Sequence, residues 1–206
     1  MASYDIAYKI TARNEGGWVI DQGGWTYLGM SIKGHPNWDG WKLIRPYIAK
    51  NGIPRRNTFF PNPLHTILKD SVYKYFKKYY WDRMYGDLIN LQEMANFCFD
   101  FVMNSGQGFI EINKAIGVRV TNRFNEDTLK AVNERTANSY LLIYNHRRKY
   151  FNYLATLNKL NRDSLPGWIN RINKYPADIS HLVARAVAKA PWGWAVSVAG
   201  FFLLQS

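Results

Sequence analysis

The sequence is poor in cysteine, histidine and acidic residues. Its 206 residues include one cysteine, Cys98, so an internal disulfide bond is excluded. The four histidines are scattered, and none is spaced from Cys98 or from another histidine as zinc ligands usually are. We therefore expect no structural zinc, and we expect Cys98 to be a buried, inert thiol because it lies in an apolar stretch.

Long hydrophobic runs are also missing, with one exception near the C-terminus. Residues 190–204 are almost entirely apolar, but this segment is shorter than the roughly 20 residues that a membrane-spanning helix needs. Three interpretations stay open for it: a buried terminal helix, an interfacial anchor that contacts the membrane, or a marginal span. The N-terminus lacks the basic start and apolar run of a signal peptide, which predicts synthesis in the cytoplasm without export by that route.

Basic residues outnumber acidic residues, 27 to 15, and the net charge is +12. Such a field attracts polyanions such as nucleic acid, acidic lipid or an anionic cell wall. The basic residues form only short clusters, which are typical of a solvated surface, so we do not expect nucleic acid to be the partner. Aromatic residues make up 16% of the chain, as in proteins with aromatic-lined carbohydrate clefts or large aromatic cores.

Hydrophobic periodicity predicts a mainly α fold with one small β-hairpin near the N-terminus. A helix is expected from Tyr4 to about Asn14, and two short strands flank the turn that starts at Asp21. The remaining pattern predicts helices at 38–50, 62–80, 107–116, 126–133, 136–160 and 165–173. It also predicts a helix that begins with a capping box at Asn90 and a last helix from about residue 178.

The most informative segment contains Glu15 at the end of the first helix, followed at once by the hairpin. Cleavage of a glycosidic bond needs a protonated carboxylic acid beside the leaving oxygen and a carboxylate or a held water at the anomeric carbon. Glu15 is the candidate acid, and Asp21 with Thr26 could orient the water. Each of these residues also has an ordinary structural explanation, as a solvated helix end, a turn former and a strand residue.

Four ordered motifs resemble those of the glycosyl hydrolase 108 N-acetylmuramidases, a family of bacterial and phage proteins. They are Glu15-Gly16-Gly17-Trp18, the run Gly23–Ser31, the run Phe99–Gly106 and the run Gly167–Ile172. Trp18 stands where the family usually has tyrosine, and the turn after Asp21 is shorter than usual. The resemblance covers about residues 4–175 and implies a lysozyme-like helical fold.

The resemblance also implies a division of the chain and a set of site residues. A muramidase segment is expected at 1–88, a helical peptidoglycan-binding segment at 89–185 and the apolar tail at 186–206. Catalysis is expected from Glu15, Asp21 and Thr26. The residues expected to bind substrate are Trp18, Trp25, Tyr27, Asp100 and Asn104.

The resemblance implies an enzyme that hydrolyses the β-1,4 bond between N-acetylmuramic acid and N-acetylglucosamine in peptidoglycan without a cofactor. It suggests a phage or prophage endolysin that a holin releases to the cell wall. A non-catalytic peptidoglycan-binding or secretion-accessory protein, a lytic transglycosylase and a basic nucleic-acid-binding protein remain as alternatives.

Overall fold

The computed structural model describes residues 1–13, 15–21 and 23–189. Within these residues there are nine α-helices and one antiparallel sheet of three short strands, which confirms the prediction of a mainly α, lysozyme-like fold. The helices are α1 Tyr4–Ala12, α2 Gly40–Asn51, α3 Leu64–Phe76, α4 Gln92–Asn104, α5 Gly108–Ala115, α6 Glu126–Glu134, α7 Thr136–Leu157, α8 Lys159–Ile172 and α9 Ser180–Lys189. The strands are β1 Val19–Asp21, β2 Gly24–Tyr27 and β3 Met30–Ser31.

The chain forms two compact units, which we call the N-terminal unit (Ser3–Arg83) and the C-terminal unit (Met84 onward, with Met1 and Ala2). The functional division predicted at residues 88 and 89 stays a prediction, and the apolar segment 190–204 lies outside the described residues. No helix among the described residues is long and apolar enough to cross a membrane.

In the N-terminal unit, an aromatic cluster fixes α1. Tyr4 is buried, and its hydroxyl donates a 2.7 Å hydrogen bond to the carbonyl oxygen of Tyr73 at the end of α3. The ring of Tyr73 lies 4.8 Å from that of Tyr4 and 5.0 Å from that of Tyr8. Aromatic pairs at such distances contribute packing beyond the area they bury, so the first two turns of α1 are held against α3.

The small sheet contains the predicted hairpin and one strand more. β1 and β2 pair in the register Val19 with Thr26, and the loop between them contains Gly23. Strand β3 pairs with β2 through Tyr27 and Met30 and is only two residues long, too short to leave an alternating pattern in the sequence.

Two helix predictions were wrong in detail. The capping box expected at Asn90 is absent, because Leu91 occupies the N-cap position of α4 and the Asn90 backbone N–H donates to Asn133 Oδ1 at 2.9 Å. The structure has a capping box at Asn125 and Thr128 instead, at the start of α6. The helix expected from 62 to 80 is α3 followed by a π-helical turn at Lys77–Trp81.

The core of the C-terminal unit contains a buried ion network. Asp100 on α4 and Arg147 on α7 both have fully buried side chains, and Arg147 Nη2 donates to Asp100 Oδ2 at 2.7 Å. Arg171 on α8 donates from Nε to the other oxygen, Asp100 Oδ1, at 2.8 Å. The guanidinium of Arg147 also lies 4.9 Å from the ring centre of Phe101. One carboxylate therefore links three helices.

Replacing Asp100 by asparagine should destabilise the protein strongly. The change leaves the buried Arg147 without its counter-charge, and breaking a buried ion pair from one side typically costs about 3–5 kcal/mol. Chemical denaturation should show a loss near the lower end of this range, since asparagine can still accept one hydrogen bond. The matched control is Asp163→Asn, which removes an exposed i,i+4 pair with Lys159 and should cost less than about 1 kcal/mol. Equal losses for the two variants would contradict this account of the core.

Candidate active site

Glu15 lies directly after α1, where the helix has ended and the chain turns toward the sheet. Its backbone N–H donates to the carbonyl oxygen of Ala12 at 3.0 Å, and its side chain is partly exposed. Burial, and next the negative charge of Glu15, raise the pKa of Tyr8 to about 12. The Glu15 carboxylate therefore acts electrostatically on Tyr8, which precedes it by seven residues.

Backbone hydrogen bonds hold the segment after Glu15 from two sides. On one side, the Leu28 N–H donates to the carbonyl oxygen of Gly16 at 3.1 Å. On the other side, the Trp18 N–H donates to the carbonyl oxygen of Thr58 at 2.8 Å, and the Asn57 N–H donates to the carbonyl oxygen of Trp18 at 2.7 Å. We call this arrangement the backbone clamp; it comprises residues 16–18, Leu28, Asn57 and Thr58.

Gly17 is required by the backbone clamp. A Cβ atom at this position would overlap the carbonyl carbon and oxygen of Thr58, which are backbone atoms and cannot move aside as a flexible side chain could. The second glycine of the motif therefore allows two backbone segments to approach each other closely.

The Glu15 carboxylate packs directly against Gly29. It has a φ of +80°, and a Cβ atom on it would lie 2.8 Å from Glu15 Oε2 and 3.0 Å from Cδ of Glu15. Leu28, the preceding residue, is also left-handed, with a φ of 50°. Two consecutive left-handed residues between paired strands are typical of a type I′ turn, in which leucine is unusual because its Cβ atom is crowded by the backbone at positive φ. The strained turn is held by the hydrogen bond from Leu28 to Gly16.

The structure brings Asp21 and Thr26 together across the hairpin, as the sequence predicts. Thr26 Oγ1 donates to Asp21 Oδ1 at 3.3 Å, and the same oxygen accepts a 2.7 Å hydrogen bond from the Gly23 N–H. Asp21 is exposed, and its other carboxylate oxygen takes part in neither of these bonds. This oxygen and a lone pair of the Thr26 hydroxyl can both accept hydrogen bonds from one water molecule, which leaves the lone pairs of the water free to attack.

The three aromatic residues expected to bind substrate differ in exposure. Trp18 and Tyr27 are 1% and 0% exposed, and Tyr27 forms a 2.7 Å hydrogen bond between its hydroxyl and Nδ1 of His65. Trp25 is partly exposed, and its ring centre lies 5.4 Å from that of Trp18. Trp18 and Tyr27 thus pack beneath the sheet, and Trp25 has surface that a ligand can reach. The binding roles of all three stay predictions.

The other two residues expected to bind substrate belong to the C-terminal unit. Asp100 is fully buried in the ion network, with each of its oxygens already bonded to an arginine. Asn104 is the last residue of α4 and is partly exposed, although its Nδ2 atom is buried and lacks a hydrogen-bond partner among the described residues. For both residues the binding role stays a prediction.

Sequence reasoning missed the positions that hold Glu15 in place. Gly29 was available to it, since this glycine belongs to the run Gly23–Ser31, but its contact with Glu15 is visible only in the structure. Asn57 and Thr58 carry no motif and lie some 40 residues from Trp18 in sequence. Among the described residues, no three His, Cys, Asp or Glu side chains are grouped as a metal site would require.

Comparisons with known proteins agree with the first three motifs, whereas the fourth, Gly167–Ile172, lies outside the residues that the family model matches. The model of the family described as "Glycosyl hydrolase 108" matches residues 8–106, which include Glu15, the sheet and the backbone clamp. Among solved structures, the one titled "Structure of Brucella abortus SagA" has a TM-score of 0.59 and 21% sequence identity, covering 90% of this chain and 94% of that one. This likeness shows a shared fold. A search of curated proteins found no match.

Gly29→Ala should displace the Glu15 carboxylate, and Gly52→Ala is its matched control. Both glycines have a φ near +80°, so both substitutions strain the backbone, by about 1–3 kcal/mol at Gly52, whose ψ of 174° is adopted essentially by glycine alone. A Cβ atom at Gly52 would nevertheless meet no atom within 4 Å. Thermal unfolding should show a loss in both variants. The 13C chemical shift of the Glu15 carboxyl group should change only in Gly29→Ala. An unchanged shift in this variant would show that the carboxylate does not pack against Gly29.

Proposed function

We propose that Glu15 is the general acid of this glycoside hydrolase, which acts on peptidoglycan and whose residues 8–106 match the model of glycosyl hydrolase family 108. The observation that carries this role is the position of the Glu15 carboxylate, which lies against Gly29 at the end of a clamped backbone segment. A proton donor must be held in a fixed position beside the leaving oxygen, and the backbone clamp provides such a position.

In the proposed reaction, the bond between C1 of N-acetylmuramic acid and O4 of N-acetylglucosamine breaks. Glu15 gives its proton to O4, so the leaving sugar departs as a neutral alcohol. A water molecule held by Asp21 and Thr26 attacks C1, and Asp21 takes the proton that this water loses. The products are a reducing muramic-acid end and a new N-acetylglucosamine 4-hydroxyl, without any cofactor.

The biological setting is a further part of the proposal. We infer a phage or prophage endolysin, made in the cytoplasm and released to the cell wall with a holin as its partner. The net charge of +12 supports this setting, because it draws the protein to an anionic wall. Contact of residues 190–204 with the membrane stays a prediction about a segment outside the described residues.

The proposed activity is tested by digesting purified peptidoglycan with wild type and with Glu15→Gln. Mass spectrometry of the released muropeptides should show new reducing muramic-acid ends with wild type, and a rate at least about a thousandfold lower with Glu15→Gln. Muropeptides with 1,6-anhydro ends would make the protein a lytic transglycosylase. Wall binding with no release by either protein would favour a non-catalytic binding module.

Asp21→Asn separates the catalytic role of Asp21 from its role in the turn. Asparagine can still accept the hydrogen bond from the Gly23 N–H, but it cannot take a proton from water. Peptidoglycan hydrolysis should therefore fall about a hundredfold, while the free energy of unfolding changes by less than about 0.5 kcal/mol. Full activity in this variant would restrict Asp21 to its structural role.

A further inference from the structure

Two neighbouring arginines, Arg55 and Arg56, are exposed on the loop that forms one side of the backbone clamp. This loop covers residues 52–63 and connects α2 to α3 within the N-terminal unit. Neither arginine belongs to a motif, and neither takes part in the proposed reaction. Their position on a loop bonded to the segment that follows Glu15 suggests a role in ligand binding instead.

The loop presents the arginines on a tight turn that is bonded to the segment following Glu15. The carbonyl oxygen of Arg55 accepts hydrogen bonds from the Thr58 N–H at 3.2 Å and from Thr58 Oγ1 at 2.6 Å. Asn57 has a left-handed φ of 61°, which closes the turn. The N–H of Asn57 and the carbonyl oxygen of Thr58 are the groups bonded to Trp18, so the turn cannot move independently of that segment.

The turn contacts the residue that directly follows the proposed proton donor. A Cβ atom at Gly16 would lie 3.9 Å from Oδ1 of Asn57, so the Asn57 side chain lies beside the residue that directly follows Glu15. Arg56 precedes Asn57 in sequence. The two arginines are therefore part of a turn that contacts the segment following the proposed proton donor.

The charges of Arg55 and Arg56 are uncompensated. Several lysines of the same unit form ion pairs with carboxylates: Lys42 with Asp39, Lys74 with Asp70, and Lys77 with Asp82. Among the described residues no ion pair is formed by Arg55 or Arg56, and the loop 52–63 contains no acidic residue. Two exposed, unpaired guanidinium groups on a fixed turn create a local positive potential suited to an anionic ligand.

We propose that Arg55 and Arg56 form a subsite for the carboxylates of the stem peptide of peptidoglycan, which makes the enzyme selective for peptide-bearing strands. The proposal rests on the proposed function, since it extends the same substrate. Stem peptides are attached to the lactyl group of N-acetylmuramic acid, so their carboxylates lie close to the bond that is cleaved. A guanidinium group binds a carboxylate through two parallel hydrogen bonds, which provides orientation as well as attraction.

The test compares two substrates that differ only in their peptides. Peptidoglycan is treated with hydrofluoric acid to remove phosphate-containing polymers, and half is then stripped of stem peptides by an amidase. The lactyl carboxylates that the amidase exposes are converted to methylamides by carbodiimide coupling, so that the stripped strands carry no carboxylate at this position. The variant Arg55→Gln/Arg56→Gln should lose about tenfold in kcat/KM on intact strands, mainly through KM, and change less than about twofold on stripped strands. Arg55→Lys/Arg56→Lys should recover part of the loss, because it keeps the charge without the planar geometry.

The matched control is Arg45→Gln/Lys69→Gln, which removes two exposed positive charges from α2 and α3 of the same unit. It should keep the wild-type ratio between the two substrates. An equal loss on intact and stripped strands, or the same loss in the control, would show that the arginines contribute only general attraction. A loss confined to walls that were not treated with hydrofluoric acid, and so retain their phosphate polymers, would identify phosphate as the ligand and overturn the proposal.

A binding measurement separates this proposal from the proposed function. Cosedimentation with both substrates is performed in the Glu15→Gln background, where no cleavage is expected. If wild type releases no muropeptides but Glu15→Gln binds intact strands more tightly than stripped strands through the two arginines, the proposed function fails and the subsite stands. If wild type cleaves both substrates equally well and binding shows no preference, the function stands and the subsite is refuted.

Discussion

The close contact between the Glu15 carboxylate and Gly29 is the constraint on which the geometry of the proposed active site depends. It exists only because position 29 has no side chain, and because the turn that contains Gly29 is left-handed at two consecutive residues. The hydrogen bond from Leu28 to Gly16 joins this turn to the segment that carries Glu15. On the opposite side, Gly17 admits the backbone of Thr58, so the same short segment is fixed twice.

The motifs of the chain have different physical roles in its two units. Those around Glu15 and the sheet determine backbone shape, with glycines where two segments approach and a carboxylate–hydroxyl pair at the hairpin. Those of the C-terminal unit build a core: Asp100 and Arg171 come from separate motifs, and they meet in one buried ion network with Arg147. The acidic motif residue of the N-terminal unit, Glu15, is partly exposed and is a candidate proton donor. That of the C-terminal unit, Asp100, is fully buried and bonded to two arginines, so its role is to hold three helices together.

Local features were predictable from the sequence, and features formed across long sequence separations were not. The first helix, the hairpin and the proximity of Asp21 to Thr26 follow from periodicity, turn residues and spacing over a few positions. The two-residue strand β3 leaves no pattern, and the pairing of Trp18 with Asn57 and Thr58 joins segments that no local rule connects.

Burial was hardest to foresee: Trp18 and Tyr27 are aromatic residues beside a hairpin, and only packing against Phe60 and His65 shows that they are interior. Helix α8 begins at Lys159, six residues before its predicted start, because Asn158 caps it.

The central claim is that Glu15 protonates the leaving oxygen, and the most direct test varies the leaving group. Glu15→Gln and wild type are compared on peptidoglycan strands and on aryl glycosides of the disaccharide N-acetylglucosaminyl-N-acetylmuramic acid, whose phenolate leaving groups depart without a proton. If Glu15 is the general acid, the rate deficit of the variant on the aryl glycosides should be at least about a hundredfold smaller than on the strands. An equal deficit on both substrates would contradict the account, because it would show that the carboxylate acts at a step other than protonation of the leaving group.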